Sequence, residues 1–232
     1  FYGCSGITSI QIPASVKSIG NFVFSDCDGL EKMVVTPENK VYNSDNGCNA
    51  IIETKTNTLV QGCKNTKIPL SVTRIGEDAF FGCSGLTSIS IPSGVTSIEF
   101  GAFSNCDKLT YVDISSGMTD IGEAAFYNCT GLKNIDISGV NGIGDEAFGR
   151  CFELTSVEIP SSVTHIGGMA FESCVGLSHV KIADGVISIG SYAFSGCSDL
   201  KNIEIPSSVT HIMGTSFPSG LEKIVVAQGN KT

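Results

Sequence analysis

The chain has 232 residues, of which 41% are hydrophobic and only 16% are charged, and its formal net charge is −9. This acidity, and the lack of any cluster of lysine and arginine, argue against binding to nucleic acid or to anionic membrane surfaces. No apolar run reaches the roughly 18 residues of a transmembrane helix, so the sequence predicts no direct insertion into a membrane.

Phenylalanine recurs along the chain at a nearly constant interval. Phe1 and Phe24 are 23 residues apart, and a later series is spaced by 23, 23, 22, 23, 23 and 23 residues: Phe80, Phe103, Phe126, Phe148, Phe171, Phe194 and Phe217. A cysteine follows three residues after each of these except Phe217. A fixed period of about 20 to 29 residues is typical of a solenoid, in which each coil packs only on its neighbours. Such a chain favours a binding module over an enzyme.

The segment between Phe24 and Phe80 departs from this period. These two residues are 56 apart, which is one coil of 23 plus 33 residues. Two β-prone runs, 49–54 and 58–62, flank a short polar turn and predict an irregular β-hairpin insertion at about 36–69. Two interpretations stay open: a tolerated insertion between coils, or an element that contacts a specific partner.

The ten cysteines fall into two kinds. Eight occupy the same position in successive coils and are expected to be buried free thiols that act as small apolar side chains. Cys48 and Cys63 each lie seven residues from the predicted central pair of the hairpin, Lys55 and Thr56. Residues that face each other in this way are within disulfide range. The sequence leaves open whether they are bridged, because a bridge also needs an oxidising compartment.

One coil, taken from residue 86 to 106, shows how the repeat predicts structure. Leu86, Ile89 and Ile91 alternate with polar residues as in a β-strand. Pro92 cannot donate a ladder hydrogen bond and therefore ends that strand. A second short alternating segment, 95–98, precedes a turn of the form Gly-x-x-Ala-Phe. Stacked coils then align equivalent side chains in continuous ladders, with parallel strands about 4.8 Å apart.

These motifs resemble the BspA-like leucine-rich repeats of surface proteins from host-associated bacteria. The resemblance rests on GCSGLTSISIPSGVTSI at 82–98 and CFELTSVEIPSSVTHIGGMAF at 151–171, and it covers nearly the whole chain. It implies a β-rich solenoid, a right-handed superhelix of about 23-residue coils with parallel strands on the concave face and short turns or helical turns on the convex side. Residues 1–232 are expected to form a single solenoid. Because Phe1 already occupies the phenylalanine position of a coil, we expect this to be a fragment of a longer chain.

In leucine-rich repeats the strand residues between the buried positions point outward from the concave sheet. This rule predicts a binding surface whose members vary from coil to coil while the ladders do not: Ser88, Ser90, Tyr111, Asp113, Asn134, Asp136, Ser156, Glu158, His179, Lys181, Asn202 and Glu204. Its middle part is mildly acidic and suits a basic patch on a protein partner.

The sequence offers no catalytic set, no metal site and no cofactor motif. There is no G-x-S-x-G elbow and no C-x-x-C pair, and every cysteine of the repeat belongs to a different coil. His165 and His211 share one repeat position two coils apart, which is too far for a common metal ion. We therefore predict that the chain is not an enzyme.

The resemblance implies a cell-surface or secreted location and adhesion to another protein. The implied ligands are host extracellular matrix or plasma proteins, such as fibronectin or fibrinogen, or another bacterial surface protein. The alternative is a passive spacer that presents other domains. The sequence does not indicate an oligomeric state.

Overall fold

The structure, a computed structural model, describes residues 1–227. It is a β-solenoid of about nine turns with a spacing of about 23 residues, parallel strands and nearly no helix, as the repeat predicts. Among the described residues the one helix is a short 3-10 turn, Asp45–Gly47. In the regular coils, the strands are therefore connected by turns rather than by helices.

Each regular coil contributes one longer strand, in most cases of four residues. These long strands are β1 (Ser9–Ile12), β2 (Lys32–Val35), β7 (Ser88–Ile91), β9 (Tyr111–Ile114), β11 (Asn134–Ile135), β13 (Ser156–Ile159), β15 (His179–Ile182), β17 (Asn202–Ile205) and β19 (Lys223–Val226). They pair in parallel, with residues of successive coils in register, for example Ile89 with Val112. Exposed and buried side chains alternate along them, which places one side of each strand in the core.

A second series forms one continuous sheet of ten strands. Its two-residue members are β6 (Arg74–Ile75), β8 (Ser97–Ile98), β10 (Asp120–Ile121), β12 (Gly142–Ile143), β14 (His165–Ile166), β16 (Ser188–Ile189) and β18 (His211–Ile212). Three further strands complete it at one end: β3 (Tyr42–Asn43), β4 (Ala50–Glu53) and β5 (Thr58–Gly62).

The strands of the segment from 42 to 62 pair with one another in antiparallel orientation. Strand β4 pairs antiparallel with β3 and β5, and β5 then pairs in parallel with β6. A turn at residues 54–57 connects β4 to β5, so that Glu53 faces Thr58. The side chains of β4 alternate between two core clusters: Ile51 belongs to an N-terminal one, and Ile52 to the main one. Strand β4 therefore separates the two cores.

Stacked phenylalanine rings form the centre of the main core. From Phe80 to Phe194 the consecutive rings are parallel within 10° and 4.8–5.4 Å apart, and all of them are buried. At the N-terminal side Phe1 stacks on Phe24. Gly62 lies against the ring of Phe80, where a Cβ would collide with it. Only glycine can bring the backbone of β5 this close to the ring.

The repeat cysteines are linked to the coil before them by hydrogen bonds. Six thiols donate to the carbonyl of the phenylalanine one coil earlier at 3.1–3.2 Å: Cys27 to Phe1, Cys106 to Phe80, Cys129 to Phe103, Cys151 to Phe126, Cys174 to Phe148 and Cys197 to Phe171. Each of these carbonyls also accepts the backbone N–H of the cysteine in its own coil. The cysteines therefore add a donor to the small apolar volume expected from the sequence.

Seven of the repeat phenylalanines, from Phe24 to Phe194, lie between two left-handed backbone positions. The residue two before the phenylalanine has a φ between 52° and 60° in seven coils: Phe22, Asp78, Gly101, Ala124, Glu146, Met169 and Tyr192. The residue two after it has a φ between 56° and 75° in eight coils: Gly3, Asp26, Gly82, Asn105, Asn128, Arg150, Ser173 and Gly196. Non-glycine residues pay roughly 1–2 kcal/mol for this conformation. The buried ring and its hydrogen-bonded neighbours offset that cost.

Candidate functional site

The surface formed by the outward side chains of the long strands is here called the strand face. Eleven of its twelve predicted members are exposed, and Ser156 is half-buried. The pairing of the strands sets them in two columns that run across the coils. Ser88, Tyr111 and Asn134 follow one another in the first column, and Ser90 and Asp113 in the second. The structure therefore brings the predicted residues onto one surface.

Some polar groups of the strand face are already engaged with one another. The ammonium group of Lys181 lies 3.0 Å from the Glu158 carboxylate, directly across β13 and β15. Ser90 donates to Asp113 at 3.1 Å. Asp136 accepts the backbone N–H of Ser138 at 2.9 Å. Neither Asp136 nor Glu204 forms an ion pair within residues 1–227, so these two carboxylates are available to a partner.

The long strands do not form one sheet, and prolines mark where they separate. They are divided into four sheets, which begin with β1, β7, β13 and β17. The first strand of every sheet is followed directly by a proline: Pro13, Pro92, Pro160 and Pro206. In every pair within these sheets except β9 with β11, the residue after the later strand donates its N–H to the isoleucine that ends the strand before, as Ser115 does to Ile91 and Ala183 to Ile159. Proline has no N–H and cannot make this bond.

Two grooves open on the strand face at these separations. One, of about 470 Å³, lies between β11 and β13 and includes Asp136, Glu158 and Pro160 in its lining. The other, of about 920 Å³, lies at β15, β17 and β19 and includes His179, Glu204 and Pro206. Residues Lys181 and Ala183 line both grooves. The sequence indicates that Pro92 ends a strand, but we did not expect the long strands to separate into several sheets or grooves to open between them.

The short coil between Phe126 and Phe148 contributes to the first groove. Its missing residue falls in the turn after β11, where Ile137 is followed by Val140 after only two residues, whereas three separate Ile114 from Met118. Ser138 consequently donates to Asp136 instead of to the previous coil. Strand β11 is only two residues long for the same reason.

Cys48 and Cys63 are both free and buried in the structure. A β-bulge between Ile51 and Ile52 shifts the pairing of β4 with β5 by one residue. The thiol of Cys63 accordingly donates to the carbonyl of Asn49 at 3.3 Å, and Cys48 packs in the other core cluster. Burial raises the pKa of both thiols. A disulfide between these two residues stays a prediction that only an oxidised sample tests.

The histidines of the chain lie on the two series of strands. His165, Ser188 and His211 lie in register on the ten-stranded sheet. Within residues 1–227 no group of three or more metal-ligating side chains comes together, and no helix is long and apolar enough to span a membrane. Burial raises the pKa of the Cys151 and Cys197 thiols to about 12, so few thiolates form at neutral pH.

The fold and the repeat agree with known proteins. A leucine-rich repeat protein of Eubacterium ventriosum superimposes with a TM-score of 0.80 at 27% identity, over 93% of this chain and 59% of that one. The T. pallidum leucine-rich repeat protein gives 0.58 at 26% identity, over 79% and 81% of the two chains. The pneumococcal vaccine antigen PcpA gives 0.62 at 17% identity, over 96% and 56%, which is a likeness of fold alone.

The chain thus spans less than two thirds of the length of the E. ventriosum protein. No curated protein matches it. The model of the BspA type leucine-rich repeat region matches six copies, over residues 1–55, 51–177 and 141–232. The chain belongs to the BspA-type leucine-rich repeat family.

Proposed function

We propose that this chain is the protein-binding adhesion module of a bacterial cell-surface or secreted protein. Its ligand is a host extracellular matrix or plasma protein, such as fibronectin or fibrinogen, or another bacterial surface protein. The strand face is the contact surface. The proteins that this chain resembles at 26–27% identity support the proposal, since both are leucine-rich repeat proteins.

One observation carries the proposal. The buried side chains are nearly the same in every regular coil, whereas the strand face changes from Ser88 to Tyr111 to Asn134 in successive, directly paired strands. A constant scaffold with variable exposed residues is the arrangement that recognition surfaces use. The two grooves lie on this same face. Because the chain has no tryptophan and few strong anchor residues, we expect many weak contacts that add up over the coils.

The test is a binding assay of this chain on immobilised fibronectin and fibrinogen. Reversal of two strand-face charges, Asp136→Lys with Glu204→Lys, should reduce binding at least about tenfold, because close like charges oppose the basic partner. A matched control makes the same change of net charge at exposed sites outside the strand face, Asp107→Lys with Glu123→Lys. Equal losses in both variants, or no saturable binding by the parent, would refute the proposal.

A passive spacer is the alternative function. The ion pair between Lys181 and Glu158 favours it, since these exposed charges satisfy each other without a ligand. A spacer shows no saturable binding and tolerates both pairs of charge reversals. The same assay therefore decides between the two functions.

A further inference from the structure

The stack of phenylalanine rings is interrupted near the N-terminal side of the solenoid. Phe24 stacks on Phe1, and Phe80 stacks on Phe103. Among the described residues no ring contact joins Phe24 to Phe80. The layer between these two rings belongs to Gly62, which has no side chain to contribute to the stack.

Gly62 takes the position of a phenylalanine in its own coil. Its N–H donates to the carbonyl of Ala79 at 2.8 Å, just as the N–H of Phe80 donates to Ala102 at 2.7 Å in the next coil. Contacts between aromatic rings stabilise a fold beyond the apolar area that they bury. The coil of Gly62 therefore lacks the ring contacts to both of its neighbours.

Backbone hydrogen bonds of the phenylalanine side are missing at the same place. In the five coils from Phe80 to Phe171, three N–H groups donate to the next coil: those of the phenylalanine and of the residues two before and two after it. The corresponding N–H groups of Phe22, Phe24 and Asp26 make no such bond within the part of the chain that the structure describes. We call this boundary, between residues 1–43 and the rest of the solenoid, the seam.

The two hydrophobic cores meet at the seam without merging. The buried members of the main core all lie at or after Cys48, whereas those of the N-terminal core lie between Ile12 and Tyr42, together with Ile51 and Cys63. The long strand β2 pairs with β1 and not with β7. The main core therefore takes no buried side chain from residues before Cys48.

Several contacts that cross the seam lie at the surface. The ammonium group of Lys64 is 3.0 Å from the carboxylate of Glu31, whose side chain is 53% exposed. The ring of Phe22 meets that of Phe81 edge-on and is itself exposed. Strand β3 pairs with β4 over only two residues. Exposed ion pairs stabilise a fold little, because water screens them, so the seam is held mainly by the packing of β4 on the N-terminal core.

We infer that residues 1–43 form a unit that opens at the seam while the ring stack from Phe80 to Phe194 stays closed. Parts of a protein open separately where few apolar contacts and backbone hydrogen bonds hold them to the rest. Each coil of a solenoid packs only on its neighbours, so a weak boundary uncouples its two sides. Opening carries β1 and β2 away from the other long strands, and it thereby changes which parts of the strand face lie side by side.

The thiols of the chain report this opening. Cys27 and Cys63 line a small cavity at the seam, and both are buried. Cys129 and Cys151 are buried in the middle of the solenoid. Cys197 is the matched control for the ends, because it lies in the second phenylalanine coil from the C-terminal side, as Cys27 does from the N-terminal side.

Labelling of the full chain with N-ethylmaleimide, followed by mass spectrometry of its peptides, measures the rate at each thiol. Cys27 and Cys63 should react at least about tenfold faster than Cys129, Cys151 and Cys197, because opening at the seam costs less free energy than unfolding of the main core. The rates at Cys27 and Cys63 should also rise with urea concentration, since opening exposes apolar surface. A rate at either of them that equals the rate at Cys197, or that does not depend on urea, overturns the inference.

Two core variants test whether the two sides open independently. Met33 is 1% exposed and packs in the N-terminal core. Met33→Ala should speed the labelling of Cys27 and Cys63 at least about tenfold and leave that of Cys151 unchanged. Phe126→Ala should do the reverse and speed only the labelling of Cys151. Equal acceleration at all three thiols in either variant, including a Met33→Ala chain that does not fold, would show that the protein unfolds as one unit and that the inference is wrong.

Discussion

The phenylalanine side and the strand face of this solenoid are built by opposite rules. On the phenylalanine side, rings and thiols repeat from Phe103 to Cys197 and are all buried, and each of these thiols bonds to the coil before it. On the strand face, side chains vary and the sheet is interrupted. The difference indicates that one side supplies the stability of the fold, which leaves the other side free to differ from coil to coil. The predictions below test this division.

The largest effect should come from removal of one ring in the stack. Phe126 is fully buried between Phe103 and Phe148. Phe126→Ala should lower the free energy of unfolding by about 3–5 kcal/mol, because it removes apolar burial and leaves a cavity. Urea denaturation measures this. Phe100→Ala is the control, since that ring is 45% exposed, and it should cost less than about 1.5 kcal/mol. Similar losses for the two would contradict a buried stack.

Alkaline pH should destabilise the protein through the thiol ladder. Burial raises the pKa of Cys151 from 9.0 to about 12. A folded-state pKa above the unfolded value gives stability that is present below pH 9 and is lost as the pH rises toward 12. Between pH 9 and 12, the free energy of unfolding of the parent should therefore fall by about 1.4 kcal/mol per pH unit relative to that of Cys151→Ala. Between pH 8 and 10.5 the difference should amount to about 2 kcal/mol.

Denaturant midpoints at several pH values provide this comparison. Val140→Ala removes a buried group that does not titrate, so its stability should follow the pH dependence of the parent. Parallel curves for the parent and Cys151→Ala would show that this thiol is not buried in the folded state.

Asp78 is a site where substitution should stabilise the phenylalanine side. Its φ is 52°, its side chain is buried, and its Oδ1 has no hydrogen-bond partner within the described residues. Burial and the nearby Glu77 raise the pKa of its carboxyl. Asp78→Gly, which matches Gly101 one coil later, should add about 1–2 kcal/mol of stability at pH 7.

The pH dependence of this gain provides its check. A carboxyl group whose pKa is higher in the folded than in the unfolded state stabilises the fold at pH values below its unfolded-state pKa. This contribution is lost as the pH rises through its folded-state pKa. The advantage of Asp78→Gly in thermal unfolding should therefore be larger at pH 7 than at pH 3.5. A loss of stability at both pH values would mean that the Asp78 carboxylate has a partner that stabilises it.

The smallest effect should come from the strand face itself. Lys181 and Glu158 form an ion pair in which both side chains are more than half exposed. Lys181→Met should change the free energy of unfolding by less than about 1 kcal/mol, because water screens exposed pairs. Chemical denaturation at 0.1 M salt measures it. A loss of free energy of unfolding as large as that caused by Phe126→Ala would show that the strand face stabilises the fold as much as the phenylalanine side does.

The repeated part of the fold could be predicted because its signals are periodic. A phenylalanine and a cysteine every 23 residues place rings and thiols in register, and alternation at 88–91 and 111–114 gives the parallel strands and their outward residues. Local pattern was enough for those features, since each coil packs only on its neighbours.

Other features depend on contacts that no single coil contains. The bulge lies between Ile51 and Ile52, which pack in different cores, and the even spacing of Cys48 and Cys63 does not reveal it. The hydrogen bonds from cysteine thiols to phenylalanine carbonyls could not be predicted either, because they join residues of neighbouring coils whose relative position only the structure gives. The separation of the long strands does have a signal in the sequence, since Pro160 and Pro206 follow alternate long strands, β13 and β17. This signal is recognised only when the residues that follow the long strands are compared over all coils.

The coil of 22 residues has a consequence for how such proteins diverge. The rings of Phe126 and Phe148 remain 5.4 Å apart and within 2° of parallel despite the lost residue, since the turn after β11 absorbs the whole change. Loss of a residue there alters the contour of the outer surface and leaves the register of all later coils intact. Length variation in that turn therefore gives natural selection a means to reshape the strand face, one coil at a time, without a new core.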